Sequence, residues 1–120
     1  YDFLSGKSYK GGNISPGLNM RFKALHKFTD KLPMGSAIEK FESPGRNTIE
    51  AISAGVINGL VYEMDEYIRN FEEKNIDAVV LLTGGDGQYL RDRLSQKVNY
   101  QPDLVFDGLN HILEYNAKES

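Results

Sequence analysis

The sequence predicts an α/β fold, a sheet of mixed direction packed with helices, on three observations. A β-like pair with a turn between its members opens the chain. An apolar stripe at helical spacing runs from Ile49 to Phe71, and a short continuous apolar run from Asp77 to Thr83 stops at a glycine pair. Strand and helix signals alternate along 120 residues, the length of one domain with a single core.

Taken in order, Tyr1-Asp2-Phe3-Leu4-Ser5 is β-like, Ser5-Gly6-Lys7-Ser8 carries turn chemistry, and Ser8 to Ile14 returns as a second strand, so a hairpin is expected. Ser15-Pro16 supplies an N-cap with proline at the first helical position, and Leu18, Phe22, Leu25 and Phe28 follow at helical spacing. That helix should stop before Leu32-Pro33, because the residue ahead of a proline is pushed away from the α region. Met34 to Arg46, with Ser-Pro-Gly at 43–45, reads as a connector holding one short helical turn.

Ile49, Ile52, Val56, Leu60, Met64, Tyr67 or Ile68, and Phe71 recur at helical intervals and predict one long helix over 48–73. Its first half carries Ala51, Ala54, Gly55 and Gly59, which would let another helix or a strand approach the backbone closely. Glycine inside a helix costs roughly 1 kcal/mol against alanine, so a pair of them implies a packing reason. Asp77 to Thr83 suits a strand covered on both faces. Asp86 or Gly87 opens an amphipathic helix through Tyr89, Leu90 and Leu94. Val98-Asn99-Tyr100 is a short β-like piece ahead of Pro102, and a last helix is expected over Asp107 to Tyr115 with Leu109, Ile112 and Leu113 inward.

Composition excludes several classes of function. Hydrophobic residues make up 40% and charged residues 26%, the balance of a soluble globular chain. The absence of cysteine removes disulfides, thiol nucleophiles and thiolate metal sites, and two histidines argue against zinc. The apolar run Ala78 to Leu82 is far short of the ~20 residues a membrane helix needs, and no charged-then-apolar leader opens the chain, so no membrane association and a cytoplasmic location are expected. A net charge of −3 gives no general attraction for nucleic acid, and the basic stretch from Arg21 to Lys31 reads as a helix face.

The turn Thr83-Gly84-Gly85-Asp86-Gly87 carries the best chemical signal. A strand that ends in two glycines and enters a helix exposes backbone N–H groups where a nucleotide can approach without meeting a Cβ. A tight βα turn that merely needs glycine would look the same, and the pattern lacks the lysine of the longer phosphate loop. Gly11-Gly12-Asn13-Ile14-Ser15-Pro16-Gly17 has the same ambiguity. In Gly45-Arg46-Asn47-Thr48, either Asn47 or Thr48 is a natural N-cap. Capping does not explain why arginine, asparagine and threonine cluster beside a small-residue helix face, which would also suit a polar ligand. His26 and His111 read as surface or satisfied core histidines. Glu63, Asp65, Glu66, Glu72 and Glu73 read as a solvated face, and Tyr1, Phe3, Tyr9, Phe22 and Phe28 as core.

The ordered segments GGNISPGLNMRFKALHKFTDKLP, GRNTIEAISAGVINGL, VVLLTGGDGQYL and PDLVFDGLNHIL resemble the second half of type III pantothenate kinases, members of the actin-like ATPase and sugar-kinase superfamily. The resemblance runs from Tyr1 to the end and implies an actin-like ATPase (ribonuclease H-like) subdomain. It implies phosphorylation of pantothenate by ATP on the way to coenzyme A, in a homodimer using Mg²⁺ and a monovalent cation, K⁺ or NH₄⁺. Carried over residue by residue, Gly84, Gly85 and Asp86 fall in the adenosine-binding turn, with Thr83 ending its strand. Gly11 and Gly12 lie near the nucleotide cleft. Thr48 matches the threonine that reaches pantothenate bound mainly by the neighbouring subunit, with Asn47 and Gly45 shaping that helix start.

The family's amino-terminal phosphate loop, its Gly-x-Asp-Arg segment with the catalytic aspartate, and its Asp-x-Gly-Thr motif would all precede Tyr1. Residues 1–120 are therefore expected to be the C-terminal domain of a two-domain kinase without its N-terminal domain, with no catalytic residue and no metal ligand in this chain. Such a segment, whether remnant, engineered fragment or one chain of a split enzyme, should not turn over alone, because phosphoryl transfer needs the proton acceptor and the phosphate contacts together. Two rivals remain, a non-catalytic module for dimerisation or regulation and a kinase acting on another small hydroxylated substrate. An upstream Gly-x-Asp-Arg segment would favour pantothenate kinase. The stripe from Ile49 to Phe71 spans about seven turns, more than a small sheet covers, so a homodimer through 48–73 is expected.

Overall fold

A computed structural model describes residues 1–103. The helix expected over Asp107 to Tyr115, and His111 on it, lie outside the described residues. The opening hairpin is as expected: β1 (Asp2–Ser5) pairs antiparallel with β2 (Ser8–Gly12), and Gly6 at φ 60° makes the turn. Phe3 faces Gly11 and Leu4 faces Tyr9, so the register slips at Lys10 and the ribbon bends. The second strand ends at Gly12 rather than Ile14. The Phe3 ring lies 5.6 Å from Phe71, and Tyr1 lies 4.5 Å from Tyr67, which docks the hairpin on the end of the long helix.

Helix α1 (Leu18–Lys27) buries Leu18 and Phe22. Ser15 does not cap it. The N-cap is Gly17, without a side-chain bond, and the Ser15 hydroxyl instead donates to Glu63. The helix also ends earlier than Pro33 requires, since the Thr29 hydroxyl takes the Leu25 carbonyl that a further turn would use. Phe28 is 79% exposed, and in the hairpin region Tyr9 is 61% and Tyr1 37% exposed, so none of the three joins the core expected of them.

No helical turn forms between Met34 and Arg46; side chains fasten this connector instead. The Tyr89 hydroxyl donates to the Ile38 carbonyl at 2.6 Å. The Arg93 guanidinium donates to the Ile38 and Glu39 carbonyls while stacking on Tyr89 and Phe41.

The long helical path is present but is not a plain α-helix. α2 (Thr48–Ser53) runs through a π turn at Ala54–Asn58 into α3 (Gly59–Lys74). A π turn inserts one residue. It pairs the buried positions as Ile52 with Ser53, Val56 with Ile57, and Leu60 with Val61, and spacing alone did not anticipate this. The apolar ones among them, with Leu18, Phe22, Met64 and Leu90, form the core. Most of the apolar stripe is thus covered by α1, the connector and the segment from Leu82 to Leu94. Ile49, Ala51, Gly55 and Tyr62 remain on exposed parts of the path.

The run expected as a strand over 77–83 pairs only at β3 (Leu81–Leu82), parallel to β4 (Asn99–Tyr100), ahead of the short α4 (Gly87–Arg91). It is not covered on both faces, and Val79 is exposed. The described strands therefore form two separate two-stranded pairs, one antiparallel and one parallel, and not one mixed sheet. Among the described residues, no helix is long and apolar enough to cross a membrane.

Candidate functional site

Thr83 leaves β3 into an exposed turn, where Gly84 at φ 105° adopts a conformation that side-chain-bearing residues rarely reach. The Gly84 carbonyl accepts two hydrogen bonds at 3.2 Å, from the Gly87 N–H and from the Tyr100 hydroxyl. A Cβ built at Gly84 or Gly85 meets nothing within 4 Å, and the N–H groups of Gly85 and Asp86 donate to no acceptor among the described residues. Asp86 stands at the N-cap of α4 without using its carboxylate there, and its carbonyl accepts from the Leu90 N–H. Gly87 differs from its neighbours. A Cβ on it would lie 2.1 Å from the Tyr100 ring, so this third glycine is needed for packing. No spacing rule connects Gly87 to Tyr100; the parallel pairing of Leu82 with Tyr100 does.

Asn47 caps the long helix, its Oδ1 accepting from the Glu50 N–H at 2.9 Å, while the Glu50 carboxylate reaches back to the Arg46 N–H. Thr48 is exposed, and its hydroxyl bonds to no group among the described residues. Gly45 lies over the first turn so closely that a Cβ would sit 2.3 Å from the Ala51 nitrogen.

Gly11 takes φ 119° with open space around it, whereas Gly12 is closed in by the Tyr1 carbonyl, the Tyr9 hydroxyl and Asp2. Beside them lies an open cleft of about 350 Å³ lined by Tyr1, Asp2, Tyr9, Asn13 and Ser15. The segment after Gly12 is tied down by a cluster that sequence reading missed. Glu63, expected on a solvated face, accepts from Tyr1, from Ser15 at 2.7 Å, and from Arg21 at 2.9 Å, and Arg21 also donates to the Pro16 carbonyl. Burial alone would raise the Glu63 carboxyl, but the three hydrogen bonds and the Arg21 charge outweigh it and hold the group below the usual range. Burial and then the bond to Glu63 push the Tyr1 phenol up. Asp65 is likewise partnered and not merely solvated, accepting from the Ser95 hydroxyl and from the Ser95 and Gln96 N–H groups. Glu66 and Glu73 do form the expected exposed face, paired with Arg69.

The eight candidate residues thus fall into three groups: Gly11 with Gly12, Asn47 with Thr48, and Thr83 through Asp86. No hydrogen bond, ion pair or ring contact among the described residues joins one group directly to another. The connector that ends at Asn47 is held by Tyr89 and Arg93, and so by the helical segment that follows the glycine turn.

The family model for type III pantothenate kinase matches residues 1–70, more than half of the chain. The chain belongs to the type III pantothenate kinase family. It is 50% identical over 121 residues to the type III pantothenate kinase of Porphyromonas gingivalis, covering 98% of this chain and 50% of that protein. Against the type III pantothenate kinase of Phocaeicola vulgatus, identity is 46% over 119 residues, covering 98% and 49%. Against that of Cytophaga hutchinsonii it is 39% over 118 residues, covering 98% and 50%. The chain therefore spans about half the length of the curated pantothenate kinases it matches. Family membership fits the mixed α/β architecture.

Proposed function

We propose that this chain is the ATP-binding and dimerising half of a pantothenate kinase, which transfers the γ-phosphoryl group of ATP to the hydroxyl of pantothenate in the first step toward coenzyme A. The observation that carries this is the open Gly84-Gly85-Asp86 turn, lying in a chain that matches family members over nearly its whole length. Thr83, Gly84, Gly85 and Asp86 receive the adenosine, Gly11 and Gly12 border the nucleotide cleft, and Thr48, steadied by Asn47, reaches pantothenate. The assembled enzyme works in the cytoplasm with Mg²⁺ and with K⁺ or NH₄⁺. Among the described residues no three His, Asp or Glu side chains converge as a cation site, so no step through either cation is assigned to them.

Replacing Gly85 with valine tests the nucleotide assignment cleanly, because a Cβ there meets no protein atom and the fold has no reason to change. In a full-length family enzyme carrying these residues, ATP affinity should fall roughly tenfold or more, equivalent to about 1.4 kcal/mol. Unchanged affinity in the folded variant would move the site elsewhere.

The same proposal makes the chain a homodimer through the 48–73 path. The exposed small positions Ala51 and Gly55, beside Tyr62, allow a partner helix to come close. Space around Gly55 is open, so Gly55→Leu should leave the protomer folded and shift light-scattering mass from two chains toward one. A wild-type chain that stays monomeric at micromolar concentration would defeat the dimer.

A further inference from the structure

We infer that Tyr100 is a positioning residue for nucleotide binding, holding the glycine turn in its binding shape from behind. The inference rests on the assignment of Gly84 to Asp86 as the adenosine contact. Glycines such as Gly84 and Gly85 have wide backbone freedom, and ordering such a loop on binding subtracts from affinity unless the loop is already fixed. Three contacts fix it through Tyr100. The phenol donates to the Gly84 carbonyl at 3.2 Å, on the residue with φ 105°. The ring lies against Gly87, where it leaves no room for a methyl group. The backbone is locked beside the strand end by the pairing of Leu82 with Tyr100 and by the Gln101 N–H, which donates to the Leu82 carbonyl at 2.8 Å. The Arg91 guanidinium, 5.8 Å from the ring centroid, adds a further neighbour to the ring. With its carbonyl held by both Tyr100 and Gly87, Gly84 keeps the turn in a form whose next two N–H groups have no acceptor among the described residues. Tyr100 itself touches no ligand; it acts through Gly84.

Tyr100→Phe keeps the ring under Gly87 and removes only the phenol. In a full-length family enzyme carrying residues 1–120, the KM for ATP should rise about five-fold, the worth of one neutral hydrogen bond. Turnover and the KM for pantothenate should stay within about two-fold, the pattern of lost ground-state binding and not of lost chemistry. A partial loss of fold would lower the apparent kcat and leave both KM values unchanged, and a general loosening of the site would move kcat and both KM values; either pattern, or any other outcome with an unchanged KM for ATP, overturns the inference. Gly85→Val measured alongside separates the two levels. If it weakens ATP binding while Tyr100→Phe does not, the nucleotide turn stands and the role of Tyr100 falls. If Gly85→Val has no effect, the turn is not the adenosine site and both fall.

Discussion

Replacing Ile57 with alanine should destabilise the chain by about 3–4 kcal/mol, a large share of the stability of a domain this size. Ile57 is 0% exposed and sits in the π turn, at the centre of a core built from Leu18, Phe22, Val56, Leu60 and Leu90. The loss combines the transfer free energy of the removed methyl and methylene groups with the cost of a cavity that two packed helices cannot close. Ile49→Ala is the matched control. Ile49 is 46% exposed on the same helical path, and its removal should stay within about 0.5 kcal/mol. Urea unfolding of both variants reads the difference directly, and equal midpoints would show that the π turn is not where the core is anchored.

Gly45→Ala should cost about 2–3 kcal/mol although it adds one methyl group to a half-buried loop. The methyl carbon would lie 2.3 Å from the Ala51 nitrogen and 2.5 Å from the Glu50 carbonyl carbon, atoms of a helical backbone that cannot swing aside. Either the connector lifts away, dragging Asn47 from its bond to Glu50, or the first turn of α2 frays. Both displace Thr48, so a full-length enzyme should also lose pantothenate affinity. Gly55→Ala in the same helical path meets open space and should change stability by under about 1 kcal/mol, with helix propensity in its favour. A Gly45 variant as stable as the Gly55 one would mean that the close approach is not required.

Local chemistry wrote much of this molecule plainly. The hairpin was legible because Gly6 stands between two β-like runs, and the cap at Asn47 because a short polar side chain precedes the apolar period. The glycine turn after Leu82 was legible as an opening in the backbone, and the ordered motifs identified the family. Other features depend on residues far apart in sequence. Ser15 looks like a cap and Glu63 like a solvated carboxylate, yet they share a hydrogen bond across 48 residues once α1 lies on α3. An isolated apolar run reads as a doubly covered strand, but Val79 stays exposed because only Leu81 and Leu82 find a partner. The expected single sheet gave way to two strand pairs, with Tyr1 and Phe3 of the hairpin region packed on Tyr67 and Phe71.

Sequence by itself determined the family, through ordered motifs along the whole chain, and also the hairpin, the extent of the long helical path and the glycine turn at 84 and 85, each of these three set by neighbours within a few positions. Only the tertiary structure decided the π turn, the Glu63 cluster, the clamped connector and the need for glycine at 87. In the last three the deciding atom belongs to a distant segment: Arg21 for Glu63, Arg93 for the Ile38 carbonyl, and Tyr100 for Gly87. Periodicity records which residues are apolar, whereas packing chooses which backbone hydrogen bond yields and which side chain leaves the solvent, because burial leaves a polar group no alternative to a partner within reach.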